Sequence, residues 1–255
     1  MLKARVMPCL LLREDGLVKT VKFKDFTYVG DPINAVRIYN DMEVDELIFV
    51  DILASQRGSD PPFHLIEEIA GECFMPLSYG GGVKTVEQMR RLFSIGVEKV
   101  AINTAAYENP RLFGEAAALF GNQAIIASID VRKSLLGRYE VVIGDGKRRT
   151  GVDPVEYARK VESLGAGEIL LTSIDRDGTW EGFDIELIRK VADSVSIPVI
   201  ASGGAGTVDD IGTAVKEGHA SAAALGSMVV FQAKGMGVLI KFPKQSELSR
   251  VLDQV

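Results

Sequence analysis

"PLSYGGGVKTV" at residues 76–86 and "PVIASGGAGTV" at residues 198–208 are one pattern written twice. Each runs from a proline through a short β-rich apolar stretch into glycines, then reaches Thr-Val where a segment of helical period begins. Laying Pro76 on Pro198 also lays Gly81-Gly82 on Gly203-Gly204, Thr85-Val86 on Thr207-Val208 and Gly96 on Gly218. Upstream, the same register pairs Asp31-Pro32 with Asp153-Pro154, Arg37 with Arg159, Glu46 with Glu168 and Ile52 with Ile174. Periodic hydrophobicity alone does not produce matched Asp-Pro and Gly-Gly pairs in a gapless register. Duplication of half the chain does.

Around this repeat, apolar runs occur at Arg5–Leu12, Glu46–Ile52, Phe74–Tyr79, Lys99–Asn103, Ala124–Val131, Glu168–Ile174, Pro198–Ser202 and Ser221–Leu225. Between them lie segments of helical period, among them Pro32–Glu43, Val86–Ile95, Pro154–Leu164, Ile185–Ser194 and Val208–Glu217. Near-continuous apolar strands separated by helices make a parallel sheet covered on its outer face. Eight such units in 255 residues predict an α/β fold, the (β/α)8 TIM barrel, with duplicated half-barrels. The expected organisation is one barrel domain over 1–255, its halves about 1–121 and 122–240.

The chain is 47% hydrophobic and 25% charged, the balance of a globular protein with a large core. A formal charge of −6 and a pI near 5.1 argue against a nucleic-acid partner. The basic clusters Lys147-Arg148-Arg149 and Arg90-Arg91 read as solvated faces. Cys9 and Cys73 both sit in apolar surroundings, which predicts two buried thiols in a reducing compartment rather than a disulfide. Arg5 breaks the N-terminal apolar run, and no apolar stretch reaches membrane-spanning length. The expectation is a cytoplasmic protein with no membrane contact.

In a barrel of this kind chemistry sits on the loops that follow the strands. Gly80-Gly81-Gly82 follows the third strand and Ser202-Gly203-Gly204 the seventh. Glycine lets the backbone approach a ligand closely, and free N–H groups at a following helix favour an anion. The next strands end in Asn103-Thr104 and Gly226-Ser227, small polar groups that complete each cradle. Two cradles related by the repeat predict two phosphate sites facing each other across the mouth. Asp130 ends the fifth strand, Asp175 and Asp177 follow the sixth with Gly178, and Asp51 ends the second. An Asp at the end of an apolar strand suits general acid–base work, because burial raises its pKa; it also suits a cap or an ion pair with Lys19 or Arg132. His64 and His219 lack metal-ligand spacing, and neither a metal nor a cofactor is expected. Trp180 and Phe183, after the sixth strand, read equally well as a ligand cover and as ordinary packing.

"INTAAYENP" (102–110), "ILLTSIDRDGT" (169–179), "IASGGAG" (200–206), "GGGVKT" (80–85) and the opening "MPCL" (7–10) together resemble the cyclase subunit of imidazole glycerol phosphate synthase, HisF. The resemblance runs from Met1 to about Met228. It implies a barrel that receives ammonia from a glutaminase docked on its N-terminal face. The ammonia crosses the core and reacts with a bisphosphorylated aminoimidazole ribonucleotide at the C-terminal face. The matching phosphate positions are Gly82 with Asn103-Thr104 and Gly203-Gly204 with Gly226-Ser227; Gly81, Gly178, Lys19, Asp51 and Ser202 are expected beside them. Asp130 and Asp177 match the family's acids. Arg5, Glu46, Lys99 and Glu168 match its ammonia gate, and two cations and two anions at strand starts can alternate around a barrel floor, as a gate or as a stabilising ring.

One position departs from the family pattern. Leu11 stands where the resemblance implies a catalytic Asp at the end of the first strand, and losing a general acid or base costs about two to four orders of magnitude in rate. "GDPINAVRIYNDMEVDELIFVDI" (30–52) and "CLLL…GLVKTVKF" resemble the branch of the family linked to acetamidino modification of sugars in surface polysaccharide. That branch implies an ammonia-delivering subunit that works with a glutaminase and a separate sugar amidotransferase. The alternatives are a histidine-biosynthesis cyclase that tolerates Leu11 through Asp51 or Asp177, and a non-catalytic scaffold that activates a glutaminase.

Overall fold

A computed structural model describes residues 4–134 and 136–253; residues 1–3 and 254–255 of the expected domain lie outside the described residues. Eight parallel strands form the sheet: β1 Arg5–Arg13, β2 Leu47–Asp51, β3 Leu77–Gly80, β4 Lys99–Ile102, β5 Ile125–Lys133, β6 Glu168–Ser173, β7 Val199–Ser202 and β8 Ala222–Leu225. Each pairs with the next, and β8 pairs with β1, so the sheet closes on itself. This is the (β/α)8 barrel the alternation predicts.

The side-chain alternation of the strands divides the interior into two apolar compartments. On β1, Val6, Leu10 and Leu12 face outward and pack with the helices, in a shell that includes Tyr39, Phe49, Ile66, Leu92, Phe113 and Val191. Met7 and Cys9 face inward and meet Ile48, Ala101, Ile126, Leu170, Ile200, Ala222 and Ala224. This plug separates the barrel floor from the mouth. Helix ends are fixed by local chemistry that the repeat duplicates. Asp31 and Asp153 each cap a helix that opens on proline, 32–41 and 154–163. Thr85 and Thr207 each head a capping box, with Gln88 and Asp210 as the reciprocal acceptors.

The structure amends several sequence boundaries. The expected strand at Phe74–Tyr79 begins only at Leu77, and Phe74 is 86% exposed; Pro76 cannot donate to a ladder, so its carbonyl alone joins, accepting from Leu47 N–H. Helices also form at 63–72, 111–120 and 245–252. Two hairpins rise from the mouth beyond β1 and β5. The first pairs Gly16–Val21 with Lys24–Gly30, and the second pairs Tyr139–Ile143 with Arg148–Arg149. Their ladders identify the partner of Asp130 across the repeat. Asp130 lies beside Thr172 on β6 and Val142 on its hairpin; Leu11 lies beside Val50 on β2 and Val18 on its hairpin. Val50 and Thr172 are equivalent in the sequence repeat, so Leu11 is the positional counterpart of Asp130. Cys9 is buried as expected, but Cys73 is only half-buried, its thiol against Met75. Among the described residues no helix is long and apolar enough to cross a membrane.

Candidate functional site

The ends of the eight strands open into one cavity of about 530 Å³. It is lined by Leu11, Lys19, Asp51, Gly81, Gly82, Asn103, Thr104, Asp130, Asp177, Gly178, Ser202, Gly203, Gly204, Gly226 and Ser227. The two glycine turns sit under matching constraints. Gly81 and Gly203 have φ of 116° and 91°, and a Cβ would stand 2.5 Å from the Asp51 carbonyl or 2.6 Å from the Ser173 carbonyl. Both turns therefore expose bare backbone to the cavity. The residues opening the following short helices, Asn103 and Gly226, have nearly the same backbone angles, φ −116°, ψ −96° and φ −106°, ψ −97°.

Each acid has a different environment. Asp177 is buried, with Lys19 Nζ donating to it at 3.0 Å and Thr20 Oγ1 at 3.0 Å. Gly226 makes room for this pair, because a Cβ there would lie 2.6 Å from Lys19 Cε and 2.7 Å from Nζ. Gly226→Ala is expected to push Lys19 off Asp177 and weaken binding of a phosphorylated ligand about tenfold, the loss of about 1.4 kcal/mol that one displaced charged group represents. The displaced lysine leaves the buried Asp177 carboxylate with only Thr20, so the unfolding temperature should fall as well, by the equivalent of about 1–3 kcal/mol; titration calorimetry and thermal melting check both parts. Asp51 accepts from Leu53 N–H at 2.8 Å and Ala54 N–H at 3.0 Å, so it caps a turn at the rim. Asp175 accepts from Lys133 N–H at 2.7 Å and does not line the cavity.

Asp130 forms neither of the expected ion pairs; its partner is Asn103, which donates through Nδ2 at 2.8 Å. Burial raises its carboxyl to about 7, helped by the nearby Asp145 and Asp177 and opposed by the Asn103 bond. A carboxyl raised from the ordinary range near 4 binds more protons folded than unfolded between those two values. Its contribution is complete below about pH 4 and is lost as pH rises through 7. Asp130→Asn should therefore flatten the decline in unfolding temperature between pH 4 and 7, and gain on the wild type above pH 7. An identical pH profile for both proteins would refute this.

At the opposite end of the plug the four floor charges form a closed circuit. Arg5 bonds Glu46 through Nη1 and Glu168 through Nη2, the latter at 2.8 Å. Lys99 Nζ donates to both Glu46 oxygens at 3.2 Å and to both Glu168 oxygens at 3.3 Å. Each anion meets both cations, and the ring carries no net charge.

Phe183 is buried in the outer core and Trp180 packs against that core, so neither covers the cavity. His64 is exposed beside Glu68, and His219 contacts Asp193. Among the described residues no group of three or more His, Cys, Asp or Glu is placed to hold a metal ion. The cavity also recruits residues not singled out as site residues from the sequence: Thr20 and Phe23 from the first hairpin, Gln56 from the short helix Ala54–Arg57, Lys84 from a rim loop, Thr172 from β6, and Asp145, Lys147 and Arg148 from the second hairpin. Strand-end position could have flagged Thr172. The hairpin residues carry no such signal.

The histidine biosynthesis protein family matches residues 5–234. Relatives extend that match over nearly the whole chain. A Pseudomonas aeruginosa protein that carries the name of an imidazole glycerol phosphate synthase subunit, hisF2, is 50% identical over 97% of this chain and 99% of its own. A Vibrio vulnificus protein named as subunit hisF3 is 47% identical, covering 99% and 98%. A Leptospira interrogans protein named as subunit HisF is 44% identical, covering 97% and 98%. Similarity of this depth and extent, on a closed eight-stranded barrel, means that the chain belongs to the histidine biosynthesis protein family.

Proposed function

We propose that this chain is a HisF-like subunit that receives ammonia from a glutaminase on its N-terminal face and delivers it for acetamidino modification of a surface-polysaccharide sugar. The observation that carries this reading is Leu11. It occupies the place equivalent to Asp130, while the cavity, the glycine cradles and the floor ring that the family pattern implies are all present. A barrel that had kept the cyclase reaction would be expected to keep both acids, and the four-charge floor suits a gate as well as it suits stability. The plug between floor and mouth includes the small side chains Ala101, Ala222 and Ala224. Neutral ammonia crosses such a layer far more cheaply than an ammonium ion, whose charge would have to be desolvated. The cradles then hold a phosphorylated ligand at the exit, and a sugar amidotransferase takes the ammonia onward.

A second reading, a cyclase acting in histidine biosynthesis, draws on the raised carboxyl of Asp130 and the buried Asp177–Lys19 pair, both suited to proton transfer. A scaffold that only activates the glutaminase would use the floor face and leave the cavity idle. Purified protein given ammonium ions and the bisphosphorylated aminoimidazole ribonucleotide separates the first two: turnover at ordinary cyclase rates would end the delivery reading. Mixing the protein with a glutaminase and measuring glutamine hydrolysis tests the rest. Failure to stimulate hydrolysis and to form a complex would remove both ammonia readings and the scaffold.

A further inference from the structure

On the β8–β1 side of the mouth, two protrusions carry apolar side chains that no described residue covers. One is the far end of the first hairpin, with Val21, Phe26 and Tyr28; the other is the loop 231–244 after β8, with Met236, Val238 and Leu239. Each of the six keeps between 44% and 63% of its surface open to solvent. The barrel sets them side by side. β8 pairs with β1, the hairpin passes the end of β8 with the Lys19 stem over Gly226, and the loop leaves from β8 itself. Both protrusions then reach the turn after β6. A Cβ on Gly178 would stand 3.0 Å from Val21 Cα, and Lys234 Nζ lies 4.0 Å from Glu181. The loop is held in a narrow turn by the Phe231–Val238 bridge and by Gln232 N–H, which donates to the Gly237 carbonyl at 3.0 Å. Backbone bonds thus present its apolar side chains to solvent instead of burying them.

Charge sets this rim apart from the rest of the chain. Residues 21–28 and 231–244 hold Lys22, Lys24, Lys234, Lys241 and Lys244 against a single carboxylate, Asp25. Five lysines against one aspartate give a local charge of +4 on a chain of −6. The whole-chain balance averages this away, and with it the sign that a membrane surface could matter. Cationic and apolar groups on protrusions suit a protein or a lipid surface, and the residue types choose between them. Protein interfaces favour arginine, deplete lysine and need a shaped counter-surface. Here every cation of the two segments is a lysine, and the apolar groups stand on two separate tips. A headgroup layer accepts any shape, draws ammonium groups to its phosphates, and takes Phe, Leu and Met at the acyl boundary with the polar end of Tyr above them.

We propose that this rim docks on an anionic phospholipid surface, its lysines at the lipid phosphates and its apolar side chains at the acyl boundary. The contact is peripheral and crosses nothing. It turns the mouth of the barrel towards the bilayer, because both protrusions rise from that end. The acidic remainder of the chain faces away, which fixes the orientation by repulsion as well as attraction. This docking goes beyond the ammonia-delivery reading and does not depend on it.

Flotation of the purified full chain with lipid vesicles tests it. The chain should float with vesicles of phosphatidylglycerol and phosphatidylcholine in equal parts, stay behind with phosphatidylcholine alone, and be released by added salt. Lys24→Ala and Lys234→Ala should each weaken binding about fivefold, the usual worth of one lysine at a charged membrane surface. The pair Met236→Ser and Leu239→Ser should weaken it about tenfold or more through lost apolar burial. Lys216→Ala removes the same charge from the floor end of the helix Val208–Lys216 and should leave binding unchanged. All these positions are exposed, so thermal melting should find each variant folded. Failure to bind the charged vesicles overturns the proposal and leaves the rim to a protein partner. Equal binding to phosphatidylcholine alone, or an equal loss in Lys216→Ala, overturns it too. So does self-association in the absence of lipid that Met236→Ser and Leu239→Ser abolish, which would give the rim to a second copy of this chain.

Discussion

Leu11→Asp is expected to raise cyclisation of the aminoimidazole ribonucleotide with ammonium ions by about two to four orders of magnitude, the usual worth of a positioned general acid or base. The backbone is already in place. Leu11 is half-buried at the cavity wall, in the ladder position equivalent to Asp130, so an Asp there projects into the same cavity. Its surroundings include Val18 and Val50 in the adjoining ladders. Placing a carboxyl against them removes apolar packing and costs roughly 1–3 kcal/mol of stability. The same desolvation would lift the new acid toward working pH, where Asp130 already stands. Steady-state rates with saturating ammonium ions measure the gain, and urea unfolding the cost. A variant that folds, binds the ribonucleotide and still turns over at the wild-type rate would show that residue 11 is not what separates this barrel from a cyclase.

Lys99→Ala should produce the largest loss of stability, roughly 2–4 kcal/mol by the reasoning for ion pairs broken from one side. Lys99 Nζ contacts all four carboxylate oxygens of Glu46 and Glu168, leaving Arg5 to neutralise both anions when it is removed. A fully buried pair broken in this way costs about 3–5 kcal/mol. The floor ring is less enclosed, with side-chain exposures of 16% for Lys99 and 10% for each glutamate, so solvent recovers part of that. Lys99→Met keeps most of the aliphatic stem and isolates the charge. Under the ammonia-delivery reading both variants should also uncouple glutamine hydrolysis from product formation, while product made from added ammonium ions is unaffected. If stability falls and coupling stays intact, the ring serves only to close the barrel.

How much of this was legible in the chain depends on whether the information is local or assembled. The repeat was legible because Asp-Pro, Gly-Gly and Thr-Val each act locally, by capping a helix, exposing a turn or starting the next helix. The cradles followed from glycines at strand ends, and the floor ring from charges at strand starts. The cysteine reading succeeded for Cys9, which lies on a barrel strand, and failed in part for Cys73, which lies just outside one. The outer strand of the first hairpin, Lys24–Gly30, gives little of the burial pattern that marks a core strand, with Phe26 and Tyr28 more than half open to solvent, whereas Gly16–Val21 and Tyr139–Ile143 are largely buried and read as extensions of the strands before them.

The sequence by itself determined the barrel, since apolar strand runs alternate with helical period eight times along the chain. It also determined which loops would face the cavity, because a parallel barrel sends every strand end to one side. Only the tertiary structure decided the pairing of Leu11 with Asp130. The constant register of the repeat would set Asp130 against Pro8; the segment between β5 and its helix is longer than its counterpart after β1, and only the ladders reveal the shift. Asp145 belongs to the same class. Gly144-Asp145-Gly146 marks a turn in the chain, but only the closed ring carries that turn to the cavity, where Gly144 N–H meets Thr104 Oγ1.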